Sequence, residues 1–216
     1  MHGRTVSKEI DPGRYLRWLR AGIVTCAVDL PGHGERFEES LQRQESTLEV
    51  VERMVEEIDG VVAALEEIAP IDPARIAIGG MSAGGMAAIV RLCREHRFAC
   101  ASVEATTGSW RWQSHRPMWD AERATRLNPI EHLGGWRDIP FQALHALHDE
   151  WVAAEGQREF LDALRRRAGG PDGASRIEFV LFEERTGAPF EHAGFGRLSA
   201  VAKDAQLRWF RRWLLE

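Results

Sequence analysis

The sequence predicts an α/β protein in which a mostly parallel sheet is flanked by helices. Two observations support this class: short apolar runs alternate with helical segments along the chain, and one strand-to-helix junction carries Gly-x-Ser-x-Gly. The length of 216 residues suits one domain with a large core, and no internal repeat divides it. We therefore expect a single domain over residues 1–216.

The positions of the strands and helices follow from the apolar pattern. The predicted strands are 23–28, 75–79, 98–103, 141–147 and 177–182. The predicted helices are 15–19, 86–93, 155–168 and 195–215. A further, long helix is predicted to follow the capping-box pattern Ser46-Thr47-Leu48-Glu49 and to end at Pro70. The run 23–28 has no polar face, which is typical of a strand buried on both sides.

Residues 105–137 interrupt this alternation. They contain four of the eight tryptophans, interleaved with arginines, prolines and glycines, and they have little regular periodicity. This pattern predicts an insertion made of loops and short helices.

The composition narrows the classes of function. A net charge of −5 does not favour nucleic acid or an anionic membrane surface as a partner. No apolar run reaches membrane-spanning length, and the N-terminus lacks the apolar region of a signal peptide, so we expect a cytoplasmic protein. The cysteines Cys26, Cys93 and Cys100 form no CxxC pair and are predicted to be small core residues.

The candidate nucleophile is Ser82, in the stretch Gly79-Gly80-Met81-Ser82-Ala83-Gly84-Gly85 between a predicted strand and a predicted helix. This arrangement is a nucleophile elbow, in which a strained turn lifts the serine hydroxyl above the sheet. Side chains at 80 and 84 would collide with neighbouring backbone, which explains the glycines. The alternative is a glycine-rich turn that carries no chemistry.

A serine hydroxyl needs a base that accepts its proton. His192 lies in a glycine-bearing loop after the last predicted strand, where the chain order of serine, acid and histidine places the base. The other histidines considered lie at a helix end (His96), in the insertion (His115 and His132) and between two glycines (His33).

The base needs a carboxylate that fixes its tautomer. Asp149 follows the predicted strand 141–147 and is the first candidate, with Glu104 second and Glu150 third. In the alternative interpretation, Asp149 only caps the helix that follows.

The sequence His145-Ala146-Leu147-His148-Asp149 also admits a metal site. Because residues 145 and 148 of a strand point to opposite faces, we do not expect the two histidines to converge on one ion. We therefore predict no metal.

These residues, in this order, resemble the α/β-hydrolase superfamily, within its esterase, dienelactone-hydrolase-like and serine-peptidase-like members. The stretches that carry the resemblance are Asp29-Leu30-Pro31-Gly32-His33-Gly34, Gly80-Met81-Ser82-Ala83-Gly84, 145–152 and 187–196. The resemblance implies the α/β-hydrolase fold and a catalytic triad of Ser82, Asp149 and His192.

The resemblance also implies an oxyanion loop. His2-Gly3-Arg4-Thr5 matches it, so the backbone N–H groups of Arg4 and Ala83 are the expected donors. In the family this loop follows the third strand, which lies between the strands that correspond to 23–28 and 75–79. Here the loop opens the sequence, so we expect a start downstream of the true one, truncated relative to the family. The alternatives are direct pairing of 23–28 with 75–79, or a strand supplied by a partner chain.

Among the family's activities, the resemblance favours a carboxylesterase that cleaves small acyl esters through an acyl-enzyme, with no metal or organic cofactor. The alternatives are a peptidase or amide hydrolase of the same fold, or a catalytically silent binding protein. The expected partner is a small-molecule ester, and the oligomeric state stays open. We expect the insertion 105–137 to form a cap over Ser82, with at least one of Trp110, Trp112 and Trp119 in an acyl pocket; packing into a satellite core is the alternative.

Overall fold

The computed structural model describes residues 1–216 and contains one four-stranded sheet. Its strands are β1 (Ala77–Met81), β2 (Cys100–Glu104), β3 (Phe141–Ala146) and β4 (Ile177–Phe182). They lie in the order β1-β2-β3-β4, and each neighbouring pair is parallel. The predicted α/β class is thus confirmed.

Seven α-helices surround the sheet. They are α1 (Pro12–Arg20), α2 (Thr47–Ile68), α3 (Ala83–Leu92), α4 (Ala121–Leu127), α5 (Ala154–Arg167), α6 (Pro171–Ala174) and α7 (Ser199–Phe210), the last continuing into a π-helical turn, Arg211–Leu215. No helix of the chain combines the length and the apolar character that a membrane crossing needs.

The two faces of the sheet are covered by different helices. The main hydrophobic core lies on one face, where α3 is buried at all ten of its residues and packs between the sheet and α2. Phe141 and Ala143 of β3 point into this core, whereas Leu144 and Ala146 point to the opposite face and pack with α7. This alternation is what a strand with two covered faces requires.

The register aligns the carboxyl ends of the strands. Met81 pairs with Glu104, Glu104 with Leu144, and Leu144 with Val180. The segments that leave β1, β2, β3 and β4 therefore emerge at one edge of the sheet, which is where ligands bind in open α/β sheets.

The prediction of a buried strand at 23–28 is wrong. These residues join no strand ladder, Val24 is 70% exposed, and Cys26 is exposed instead of lying in the core. Ile23 and Val28 pack against core clusters, whereas Val24 and Cys26 are exposed. The sequence could not indicate these exposed positions, because the apolar run 23–28 has no polar face. Cys93 and Cys100 are buried as predicted.

The segment 23–28 also does not pair directly with β1. Met1 occupies that side of β1, since its amino group donates to the carbonyl of Gly79 (3.0 Å) and its carbonyl accepts from the N–H of Met81 (3.1 Å). This is the hydrogen-bond pattern of a parallel ladder. Residues 2–5 therefore leave from the same edge of the sheet as Ser82.

The predicted capping box of α2 does not form. Ser46 makes no side-chain cap to the helix, and its hydroxyl donates instead to the carbonyl of Ser40 (2.9 Å). The loop before α2 folds into short helical turns, in which the Ser46 N–H donates to the carbonyl of Arg43 (3.2 Å) and not to Glu49, as a capping box requires.

The segment 105–137 is anchored on the main core. Its helix α4 packs on α2, where Arg123 forms an ion pair with Glu52 (3.1 Å), and its residues Trp110 and Trp136 are buried in the core. The buried aromatics thus extend the main core and do not form a separate satellite cluster.

Candidate active site

Ser82 lies between β1 and α3 in a strained backbone conformation, with φ 52° and ψ −120°. Such a conformation in a residue other than glycine persists only where its surroundings hold it. The Ser82 N–H donates to the carbonyl of Glu104 (2.9 Å), and the Ser82 carbonyl accepts from the Met86 N–H and the Thr106 hydroxyl (both 2.9 Å). The turn is therefore fixed by β2, by α3 and by the loop after β2.

Two glycines make this turn possible. A β-carbon at Gly80 would lie 2.4 Å from the carbonyl of Gly84, and one at Gly84 would lie 2.4 Å from the carbonyl oxygen of His2. Neither neighbour is the end of a flexible side chain, so neither can move aside cheaply. The collision with backbone expected from the sequence is present at both positions.

Asp149 and His192 form a buried pair at the same edge of the sheet. The Nδ1 atom of His192 lies 2.8 Å from Oδ2 of Asp149. The other carboxylate oxygen accepts from the N–H groups of Trp151 and Val152 (both 2.8 Å). Asp149 is therefore held from two sides, while the Nε2 atom of His192 points away from the carboxylate.

A second histidine contacts Asp149. His145 at the end of β3 is fully buried; its Nε2 lies 2.8 Å from the carbonyl of Val152 and 3.4 Å from the Asp149 carboxylate. The sequence analysis did not anticipate this contact, because it depends on the turn after β3, which the Asp149 N–H closes by donating to the carbonyl of Ala146 (3.2 Å). His148 is exposed, so the two histidines do not converge.

The environment of Asp149 favours its ionised form. Burial on its own raises the pKa of this carboxyl, but hydrogen bonds from His145 and His192 outweigh burial and lower the pKa to about 2. The carboxylate therefore keeps its negative charge throughout the ordinary pH range, as a partner of an imidazolium must.

The other acids considered lie in different surroundings. Glu104 is buried and accepts from Arg14 Nη1 (2.5 Å), a guanidinium that also donates to Gln206 (2.9 Å). Glu150 is exposed. Of the three carboxylates, only Asp149 hydrogen-bonds to His192.

The Ser82 hydroxyl makes no hydrogen bond to His192 in this structure. The bond between a nucleophile and its base is often long or poorly aligned until a substrate binds, so this geometry does not argue against the pair. Ser82 follows β1, Asp149 follows β3 and His192 follows β4, which places all three at the carboxyl edge of the sheet.

The loop 2–5 lies against Ser82. A β-carbon at Gly3 would be 3.3 Å from the β-carbon of Ser82. The next residue, Arg4, has a backbone N–H that donates to no other atom of the protein, and Ala83 begins α3, where the first N–H groups lack intrahelical acceptors. Arg4 and Ala83 thus each have a backbone N–H without an acceptor in the protein, which is what the expected oxyanion hole requires of them.

The motif Asp29-Leu30-Pro31-Gly32-His33-Gly34 braces this loop. The Leu30 N–H donates to Nε2 of buried His2 (3.0 Å), and Asp29 accepts from the N–H of Lys8 (2.8 Å). Burial lowers the pKa of His2, which keeps the imidazole neutral and able to accept at Nε2. These hydrogen bonds from the motif therefore help to fix the position of the loop 2–5.

The three tryptophans proposed for an acyl pocket lie in different settings. Trp110 has no exposed surface and its indole donates to the carbonyl of Thr107 (3.2 Å), so it presents nothing to a substrate. Trp112 is partly exposed and donates to Glu159 (2.9 Å), whereas Trp119 packs against the main core.

The low pKa of Asp149 predicts a pH-dependent contribution to stability. Since the pKa is about 2 in the folded state and about 3.9 in an unfolded chain, ionised Asp149 stabilises the fold by about 2.5 kcal/mol above pH 4. This contribution is lost as the pH falls from about 4 to about 2. We expect the difference in unfolding free energy between wild type and Asp149→Ala to shrink across that window. The exposed Glu150→Gln variant should show no such trend, and a difference constant from pH 2 to pH 7 would contradict the prediction.

Comparisons with known proteins agree with this architecture. The sequence matches the Prolyl oligopeptidase family (Peptidase_S9) over residues 14–214. A Thermus thermophilus structure is similar with a TM-score of 0.77 and 22% identity, covering 100% of this chain and 87% of that one. A puromycin-hydrolyzing peptidase from Mycobacterium tuberculosis is similar with a TM-score of 0.73 and 20% identity, and the match covers 99% of this chain and 33% of that one. An esterase from Pyrococcus furiosus is similar with a TM-score of 0.68 and 18% identity, and the match covers 99% of this chain and 81% of that one. No curated protein matches the sequence significantly.

Proposed function

This chain is a serine hydrolase that belongs to the prolyl oligopeptidase family, and we propose that it cleaves carboxylic esters through an acyl-enzyme formed on Ser82. The predicted α/β-hydrolase fold is confirmed by the family and by the similar structures. The observation that carries the proposal is the Asp149–His192 pair, which lies with the strained Ser82 at one edge of the sheet.

We assign the following roles to these residues. His192 takes the proton of the Ser82 hydroxyl at Nε2, because its Nδ1 faces Asp149. The serine oxygen attacks the ester carbonyl, and the negative oxygen that develops is stabilised by the N–H groups of Arg4 and Ala83. The bond to the alcohol then breaks, and the alcohol leaves with the proton from His192.

The second half of the reaction uses the same residues. A water molecule gives its proton to His192 and attacks the acyl carbon, and the carboxylic acid leaves as Ser82 recovers its proton. Asp149 stays ionised throughout, consistent with its pKa of about 2. The reaction consumes one water for each ester.

Ester cleavage is the first candidate and amide cleavage the second. The Pyrococcus furiosus esterase, which this chain covers over 81% of its length, supports the first. The peptidase from Mycobacterium tuberculosis supports the second, although this chain spans only 33% of that protein. An amide requires protonation of a poorer leaving group, so the two activities separate in kinetics.

A matched ester and amide with one acyl group test the proposal. We expect a fluorophosphonate to label Ser82 and the ester to have a kcat/KM more than about a hundredfold above that of the amide, because the amine of the amide is the poorer leaving group. A hundredfold difference corresponds to about 2.8 kcal/mol of transition-state stabilisation. A kcat/KM for the amide within tenfold of the ester would favour the peptidase alternative. Absence of both labelling and turnover would show a silent binding protein.

A further inference from the structure

Two exposed aromatic side chains stack beside His192. The rings of Trp151 and Phe190 have centroids 4.8 Å apart at an interplanar angle of 26°. Trp151 is 39% exposed and Phe190 is 55% exposed. We refer to this pair as the aromatic platform. Large apolar side chains with this much exposed surface, placed together, commonly mark a binding site.

The platform is tied to the candidate triad on both sides. The Trp151 ring lies 5.0 Å from the His192 ring, measured between centroids. The Trp151 N–H donates to Asp149, and the Glu150 N–H donates to the carbonyl of Phe190 (3.0 Å). A group that rests on the platform would therefore lie close to the imidazole that transfers the proton.

The backbone beneath Phe190 is strained and yet firmly held. Phe190 and Glu191 are consecutive residues with positive φ, 54° and 51°, a conformation that L-amino acids rarely adopt. The buried Glu191 carboxylate holds the turn by accepting from the N–H and the hydroxyl of Thr186 (2.6 and 2.8 Å) and from the N–H of Gly187 (3.1 Å). Held strain of this kind concentrates at functional sites.

We propose that the aromatic platform is a binding subsite for a flat aromatic group of the ester substrate. This inference rests on the proposed function and adds the substrate class. The two residues keep 39% and 55% of their surface exposed, and aromatic rings prefer offset-stacked or edge-to-face contacts at 4.5–7 Å, which this exposed surface can offer to a substrate ring. Both side chains are held by short loops bonded to each other, so little conformational freedom is lost when a ring binds. The aromatic group belongs to either the acyl part or the alcohol part of the ester, and the experiment distinguishes them.

Two pairs of esters test the subsite. The pair benzyl acetate and cyclohexylmethyl acetate varies the alcohol, and the pair methyl phenylacetate and methyl cyclohexylacetate varies the acyl group. In each pair the flat ring is replaced by a puckered ring of similar size. We expect the wild type to prefer the aromatic member of one pair, and that pair identifies the part of the substrate that is bound.

Substitution of the platform should reduce this preference. In Trp151→Leu and in Phe190→Leu, we expect the ratio of kcat/KM for the aromatic ester to kcat/KM for the saturated ester to fall roughly three- to tenfold in that pair. Contact between two aromatic rings stabilises a complex by about this factor beyond the contribution of the buried apolar area. Phe37→Leu, which changes an exposed phenylalanine elsewhere, is the matched control and should keep the wild-type ratio.

Three results would overturn the proposal. A wild type without preference in either pair would do so, and this measurement needs no variant to fold. If the variants lost kcat/KM equally for all four esters, the aromatic platform would only support the Asp149 loop. A wild type that hydrolyses no ester and is not labelled at Ser82 would overturn the proposed function as well. That outcome is distinguishable from the other two, in which ester turnover is retained.

Discussion

Ser82→Ala is expected to lower kcat for ester hydrolysis by about four to six orders of magnitude, because the attacking oxygen is removed and only binding and the oxyanion donors remain. The fold should be retained, since alanine keeps the β-carbon and the backbone bonds from Ser82 to Glu104 and Met86. Steady-state turnover of a short-chain nitrophenyl ester, together with a thermal unfolding curve, measures both expectations.

Ser114→Ala is the matched control for this variant. Ser114 is exposed and its side chain makes no hydrogen bond to another residue, so the same change of side chain should leave kcat at the wild-type value. Near-native turnover by Ser82→Ala would refute the acyl-enzyme mechanism. Loss of activity in both variants would instead point to a general effect of substitution.

Asp149→Asn is expected to lower kcat by about four orders of magnitude, with a smaller effect on KM. An amide can donate a hydrogen bond to Nδ1 of His192, which stabilises the tautomer that cannot take the serine proton at Nε2. It also carries no negative charge with which to stabilise the imidazolium. Initial rates over a range of substrate concentrations give the two parameters separately.

Glu150→Gln makes the same chemical change one residue further along, on an exposed side chain. It should retain nearly full activity, which would separate the loss of the buried carboxylate from a general loss of charge in the loop. If Asp149→Asn kept more than about a tenth of the wild-type kcat, Asp149 would not be the acid of the triad.

The sequence predicted the sheet well because its strands carry their own signals. The strands predicted at 141–147 and 177–182 agree with β3 and β4 to within one residue, and 75–79 and 98–103 lie one or two residues from β1 and β2. Strands buried on both faces are continuous apolar runs between turns, and that signal is local.

The segment 23–28 shows the limit of this signal. It has the composition of a buried strand, but a strand also needs a neighbour, and the side of β1 that it would occupy is bonded to Met1 instead. Likewise Ser46 has a capping-box sequence but bonds to Ser40. In both cases a contact outside the local sequence decided the structure.

The candidate site could be predicted only in part. Ser82, Asp149 and His192 stand out because an elbow, a strand end and a glycine-bearing loop each mark them in the sequence. The platform residues Trp151 and Phe190 do not, since neither belongs to a periodic pattern and their contact joins two loops that are distant along the chain. The distinction is between residues marked by local motifs and residues brought together only by the fold.

The order of the strands also has a consequence for biosynthesis. Strands β2 and β3 lie between Ser82 and Asp149 along the chain, and β4 lies between Asp149 and His192. A chain that emerges from the ribosome N-terminus first can form the serine turn before the proposed base has been synthesised. The hydroxyl of such a nascent chain has no proton acceptor, because the Asp149–His192 bond must wait for β4 and the loop after it. Hydrolytic activity would therefore report completion of the whole sheet, and an unfinished chain would carry an inert serine.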